Sequence, residues 1–398
     1  MIKIIIKNQN PKVYPLYSEP TPNPASSSST IYHILPTTYS KAFTPLRPRL
    51  RRVKVASPAF TIVELLVTIA VIGILVSITV VSYTAIITRV ASETLKQDLN
   101  EGASQLKKYY YDHGAYPASL TNNCPSSDAS DAVYCLKPSS GDSYSYTSSS
   151  PNSIYCLSST KSSQSYFVTQ AGTQLAGPCP VLYLDAGITA SYPGAGTTWT
   201  DLSGNSNNGT LVGGLGVAGL GYSSTNGGSL TFDGSNDYAE VVSNNSLNPT
   251  NQITVEMWFQ PNETMVTWQA VLGKGGGSAF EKGYEFAVSA GQFGFWVNGN
   301  SHFVKTTMPI SGEMAYWVGT FDGTSLKLYK NNNLVDTISY TSTIISTTLP
   351  FRVSAVSEAG GNKNYTAGKY YGVRVYNRAL TSTEITQNYN TLKGRYGL

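Results

Sequence analysis

Between Pro58 and Ile87 the chain carries a single charge, the carboxylate of Glu64, and the next one along is Arg89. About 20 consecutive apolar residues in a helix cross a bilayer, so this segment is long enough to span one. A cleaved secretory signal has a shorter apolar core of about 7–15 residues, followed by a small-x-small site. The run here is too long for that, and the plain alternative is an uncleaved signal-anchor helix. A charge inside a spanning segment is costly and marks function. Glu64 sits at the membrane-entry end, where the penalty is milder than at the centre.

The flanks narrow the possibilities. Upstream lies a basic cluster, Arg47, Arg49, Arg51, Arg52 and Lys54, then the small residue Ala59, then Phe60, Thr61 and Glu64. Together these resemble the class III signal of type IV pilins and of type II secretion pseudopilins. The resemblance implies that a prepilin peptidase cuts between Ala59 and Phe60 and methylates the new amino terminus at Phe60. It also implies that Glu64 pairs with the free amine of a neighbouring subunit during assembly. Opposite charges attract strongly in a low-dielectric layer, where either alone is penalised. The chain departs from the family in having Ala59 where Gly is usual, and in a 59-residue leader with no second Met.

Residues 1–59 hold nine Lys or Arg and one acid, Glu19, whereas the remainder carries 18 basic and 22 acidic residues. A mature chain of net charge −4 has no basic stripe, which argues against a nucleic-acid partner. The basic leader holds the N-terminus in the cytoplasm by the positive-inside rule. The expected location is therefore the inner or cytoplasmic membrane, crossed once, and then the cell surface. All four cysteines, Cys124, Cys135, Cys156 and Cys179, cluster in the exported part and read as two disulfides. Three connectivities are possible, with the neighbour pairing 124–135 and 156–179 preferred. A four-cysteine zinc site would want close paired spacings, which are missing.

Residues 1–59 are rich in Pro and Ser and read as a disordered or processed leader. The helix should run over 60–113, with about 60–87 in the membrane or filament core. Past the apolar run, Val90, Leu95, Leu99 and Leu106 keep helical spacing, with Gly102 as the weak point. His113-Gly114 and Pro117 mark the stop, for a length of roughly 75 Å. The Tyr109-Tyr-Tyr-Asp-His-Gly-Ala-Tyr-Pro117 stretch also resembles the Tyr-rich turn that ends pilin and pseudopilin helices. Residues 114–180 then form a small β head, with short strands expected around Tyr144–Tyr146, Ile154–Leu157 and Ser165–Thr169. A head this small needs its disulfides. Cys179-Pro180 looks like the seam with the next domain.

From Val181 onward, short β-rich runs alternate with Gly, Asn, Asp and Ser turns. Seven strands are read at 229–234, 253–259, 284–288, 293–297, 316–321, 325–329 and 371–376, with hairpin turns at Asp322-Gly323 and 331–333. This is an all-β, two-sheet sandwich over 181–398. The run Tyr183-Leu-Asp185, the Trp199–Gly209 loop, Leu230–Tyr238, Val255-Glu-Met-Trp258, Gly319–Gly323 and Val375–Leu380 resemble the laminin G-like branch of the concanavalin A-like lectin/glucanase superfamily. The expected fold class is thus α+β multidomain: a long pilin helix, a disulfide-bonded β head and a concanavalin A-like jelly-roll sandwich.

Hydrolases of that superfamily use paired carboxylates on one strand. The nearest local match, Glu281-Lys-Gly-Tyr-Glu285, has a Gly in the wrong place and no third acid. With only three His, at 33, 113 and 302, no nucleophile–base triad is suggested. No catalytic residue is assigned and the chain reads as a non-enzyme. The loops 201–208 and 233–237 are dense in the hard oxygens that Ca²⁺ prefers, and the superfamily often holds calcium at its rim. Asp201 and Asp233 are the candidate ligands, against a role as turn formers. Trp268 is the most loop-like tryptophan and the candidate for stacking on a sugar ring, whereas Trp258, Trp296 and Trp317 read as core.

The expected protein is a pilin-like filament subunit, minor or at the tip, that displays a lectin-like module to an extracellular glycan or protein. Its partners would be other pilin subunits, the prepilin peptidase, the assembly platform and, before assembly, the membrane. The alternatives are a pseudopilin of a secretion or DNA-uptake machine and a membrane-anchored glycan hydrolase.

Overall fold

The computed structural model describes residues 61–149, 151, 153–214, 221–266, 268–275, 283–299, 302–356 and 364–398. The leader, Ala59, Phe60 and Glu281 lie outside the described residues.

Helix α1 (Ile62–His113) runs unbroken for 52 residues, about 78 Å. It begins after Thr61 because the Thr61 hydroxyl accepts the Glu64 N–H at 3.2 Å, while Glu64 Oε2 accepts the Thr61 N–H and hydroxyl, each at 2.9 Å. That reciprocal pair is a capping box. Ile62–Val80 is apolar and long enough to cross a membrane, and none of it is buried. Its hydroxyls bond back to the helix, Thr68 to the Leu65 carbonyl at 2.8 Å and Ser77 to that of Ile74 at 2.7 Å, which suits an apolar solvent. The helix ends at Gly114, whose φ of +76° is the left-handed stop that glycine allows.

Residues Ile69–Leu398 form one compact unit. Strands β1 (Ser143–Ser148), β2 (Tyr155–Lys161), β3 (Gln164–Thr169) and β4 (Leu175–Ala176) pair antiparallel in chain order to make the head sheet. One face packs on α1: Tyr155, Leu157, Tyr166 and Val168 meet Leu95, Leu99 and Leu106. Gly102 is not a weak point but a close-approach site, since a Cβ there would lie 2.6 Å from Leu157 Cδ2. Disulfides join Cys124 to Cys135 and Cys156 to Cys179.

The sandwich strands are β5 (Leu182–Asp185), β6 (Thr198–Trp199), β7 (Gly209–Val212), β8 (Tyr222–Ser223), β9 (Ser229–Asp233), β10 (Tyr238–Val241), β11 (Ile253–Pro261), β12 (Ala270–Gly275), β13 (Gly283–Ser289), β14 (Gln292–Val297), β15 (Phe303–Thr306), β16 (Ala315–Phe321), β17 (Ser325–Lys330), β18 (Asn333–Ser339), β19 (Phe351–Val353) and β20 (Ala367–Tyr376). Sheet I has the order β15-β14-β13-β12-β19-β10-β7-β6, and sheet II the order β18-β17-β16-β11-β20-β9-β8 with β5 also on β20. All described pairings are antiparallel. Between the sheets Phe232, Val255, Met257, Phe259, Phe286, Phe295, Trp317 and Val373 form the core. Asn331 and Asn332, both at positive φ, turn the β17–β18 hairpin.

The C-terminal region is not all β. Helix α2 (Ser382–Leu392) starts at a second capping box, Thr381 with Glu384. It covers the outer face of sheet II with the head, so that Trp258, Tyr316, Tyr371 and Tyr376 pack against Ile385, Leu392 and Tyr396 and against Cys156, Phe167 and Leu175. The head sheet is therefore buried on both faces, by α1 and by the sandwich. Asn388 completes its edge: Oδ1 accepts the Ala176 N–H at 2.7 Å and Nδ2 donates to the Ala176 carbonyl at 3.1 Å.

Replacing Asn388 with Ala strands both Ala176 groups in a buried seam. Urea unfolding of the full chain in detergent should show a loss of about 2–4 kcal/mol, with faster hydrogen exchange at Ala176.

Candidate functional site

Polar side chains of the sandwich gather at the loop end beside Asp201, in the cleft beside Asp233 and on the outer face of sheet I. Asp201 is fully buried. Its Oδ1 accepts the N–H of Tyr183 at 2.8 Å and of Ser203 at 2.9 Å, and its Oδ2 accepts the Ser203 hydroxyl at 2.6 Å and the Asn207 N–H at 2.9 Å. Burial pushes its carboxyl up, against the pull of the Ser203, Tyr183 and Asn207 donors. Four donors fill the acceptor sites of a carboxylate, so Asp201 is spent on folding its own loop and does not fit a calcium ion. Asn207 extends the network by donating to the Val181 carbonyl at 2.7 Å and to Ser246 Oγ at 2.8 Å, while it accepts from Asn244.

Asp233 is not brought to Asp201. It ends β9 and lines a separate cleft of about 670 Å³ with Asp237, Asn262, Glu263 and Tyr222. Slight burial raises its carboxyl, but the N–H groups of Ser235, Asn236 and Asp237 outweigh that and leave it below the usual range. Among the described residues no three of His, Cys, Asp or Glu stand close enough to hold a metal ion together. Asp237 belongs to the same 233–237 loop that the sequence marks as oxygen-rich, whereas Asn262 and Glu263 were not read as its neighbours, because nothing in their spacing from Asp233 says that the 262–263 turn meets that loop.

The outer face of sheet I carries a row set by strand register: Thr210, Glu240, Arg352, Gly273, Glu285, Trp296 and Phe303. Arg352 pairs with Glu240 at 2.7 Å and lies over the Tyr238 ring. Glu285 accepts from the Trp296 indole. Trp296 therefore does not reach the inter-sheet core but packs with Ala270, Ala287 and Val356 on this face. Trp258 lies in the seam under α2, and of these three only Trp317 belongs to the core between the sheets, which it shares with Trp199. Trp268 is half exposed, at positive φ, beside exposed Val266, and its N–H is held by the Val288 carbonyl at 2.9 Å.

A laminin G family model of the concanavalin A-like lectin/glucanases superfamily matches residues 233–386. The C-terminal half therefore carries a concanavalin A-like lectin/glucanase domain of the laminin G type. No curated protein matches the chain. Solved structures of similar fold include domain 4 of AbnA, a GH43 extracellular arabinanase from Geobacillus stearothermophilus, in complex with arabinotriose. It is 15% identical with a TM-score of 0.41, over 54% of this chain and 98% of that one. The binding domain of Paraclostridial Mosquitocidal Protein 1 is 16% identical with a TM-score of 0.41, over 53% of this chain and 52% of that one. The binding domain of Botulinum Neurotoxin DC in complex with SialylT is 14% identical with a TM-score of 0.39, over 54% and 52%. The chain thus spans about half the length of these two toxin domains.

Asp201→Asn puts an amide donor opposite an N–H and a hydroxyl that need an acceptor. Denaturant unfolding should register a loss of about 2–4 kcal/mol, with no recovery on adding calcium.

Proposed function

We propose that this chain is a pilin-like subunit, cut before Phe60 and methylated there, whose sandwich serves outside the cell as a non-catalytic binding module. The observation that carries the proposal is α1. One helix is bare and apolar over Ile62–Val80, yet buries Leu95, Leu99 and Leu106 under the head. Such an element needs an apolar partner for its first half, which is the bilayer before assembly and the helices of other subunits after it. Glu64, capped within its own chain, is poised at the end of that stretch to meet a neighbour's amine.

The sandwich adds bulk unsuited to every position of a thin fibre, so a minor or tip location is favoured. A glycan or protein ligand would meet the surface bearing Trp268 and Val266, both half exposed or more. One feature supports binding without hydrolysis. Glu240 and Glu285, the carboxylates of the sheet I row, are three strands apart, about 14 Å. Glycosidase pairs work at roughly 5–9.5 Å.

Intact mass of the protein from its native membranes should correspond to a chain beginning at N-methylated Phe60. A chain keeping residues before Ala59 would overturn the pilin assignment. On glycan arrays, Trp268→Ala should lose at least tenfold in ligand affinity while its unfolding free energy stays within about 0.5 kcal/mol of wild type. Unchanged binding would move the ligand surface elsewhere.

A further inference from the structure

The oxygen-rich loops at the Asp201 end of the sandwich enclose a cation that the chain itself supplies. Lys274, in β12, is fully buried. Its Nζ donates to Ser243 Oγ at 2.7 Å, to the Thr347 carbonyl at 2.8 Å and to the Leu349 carbonyl at 2.6 Å. An ammonium has three donors, and here three oxygens from two separate loops take them. Among the described residues no carboxylate stands within ion-pair distance of it. Carbonyl and hydroxyl oxygens around a buried positive charge are the surroundings of a hard metal ion.

The cage is continuous with the loop where calcium was expected. Ser243 adjoins Asn244, which donates to Asn207, whose N–H is held by Asp201. On the other side the Thr347 N–H is accepted by Asn248 at 3.3 Å. Loops 201–208, 243–248 and 347–349 are thus one network, in which Asp201 is saturated and Lys274 brings the positive charge. Burial draws the ammonium down to about 8, which leaves it protonated at neutral pH.

We infer that the Lys274 ammonium is the resident structural cation of this loop cluster, in the place that oxygen-rich rim loops would otherwise give to a metal ion. The inference rests on the cage alone and is independent of the pilin assignment.

Hydrogen exchange of the full-length protein in detergent tests it. In the wild type, neither calcium nor a chelator should alter exchange in 243–248 and 347–349. In Lys274→Ala, exchange there should rise at least tenfold. n-Propylammonium, which replaces the three carbons and the charge removed, should restore protection, while n-propanol should not. Exchange in these segments that slows with calcium or quickens with a chelator in the wild type would overturn the inference. So would a Lys274→Met variant protected like wild type, or a folded Lys274→Ala that propylammonium leaves unprotected. Should Lys274→Ala fail to fold, the wild-type chelation arm and Lys274→Met still decide.

Discussion

The outer face of sheet II governs how the compact unit is built. Tyr183, Trp258, Tyr316, Tyr371 and Tyr376 face outward from that sheet, and large aromatic side chains bury some 150–250 Å² each. Among them lies an ion pair, Arg374 with Glu256, whose carboxylate also accepts from Tyr316 and from Tyr376 at 2.9 Å. The Arg374 guanidinium lies over the Tyr183 ring. A pair at this depth is tolerated only when every lone pair and proton is engaged and water is shut out, and removing one partner costs about 3–5 kcal/mol. Such a face cannot stand in water. The chain covers it with α2 and with the head, and the rest of the arrangement follows.

Because the head sheet is the cover, it is buried twice. Tyr155 and Leu157 face α1, while Cys156 between them faces the sandwich, the period-2 alternation of a strand serving two cores. The Cys156–Cys179 bridge and the Asn388 clamp on Ala176 lie in the same seam. Arg378 adds a tie, bridging Glu384 of α2 to Ser165 of the head at 2.7 and 3.2 Å. A sandwich joined in this way is continuous with the helix beneath it, not a bead on a linker. It also means that residues 181–398 alone would expose the aromatic face, so binding is best measured on the full chain.

Much of the fold was legible. The long apolar run, the helical spacing of Leu95, Leu99 and Leu106, and the seven β-rich stretches each carry a period of their own, and all appear as elements. Helix α2 was missed although Thr381-x-x-Glu384 before Ile385 is a readable capping signal, because the surrounding β texture outweighed it. The two-residue strands β6 and β8 have no period to read. Gly102 was misjudged for a different reason: local propensity counts a helical glycine as a cost, while its benefit is the approach of Leu157 from 55 residues away. At the site, Asp201 was legible as an oxygen-rich loop residue but its saturation was not, since Tyr183 comes from another strand. Lys274 gave no signal at all, being one lysine among 27 basic residues.

The sequence by itself determined the long helix, the strands of the head, seven strands of the sandwich, where the apolar span lies, and that the four cysteines belong to one small region. Those properties are local, written in spacing and composition within a few turns or one hairpin. Tertiary structure alone decided that Trp258 seals a seam while Trp317 fills the core, that Asp233 meets Glu263 instead of Asp201, and that a lysine supplies the charge its loops require. Each depends on which residues distant in the chain arrive at the same place, and that is set by burying whole faces against each other.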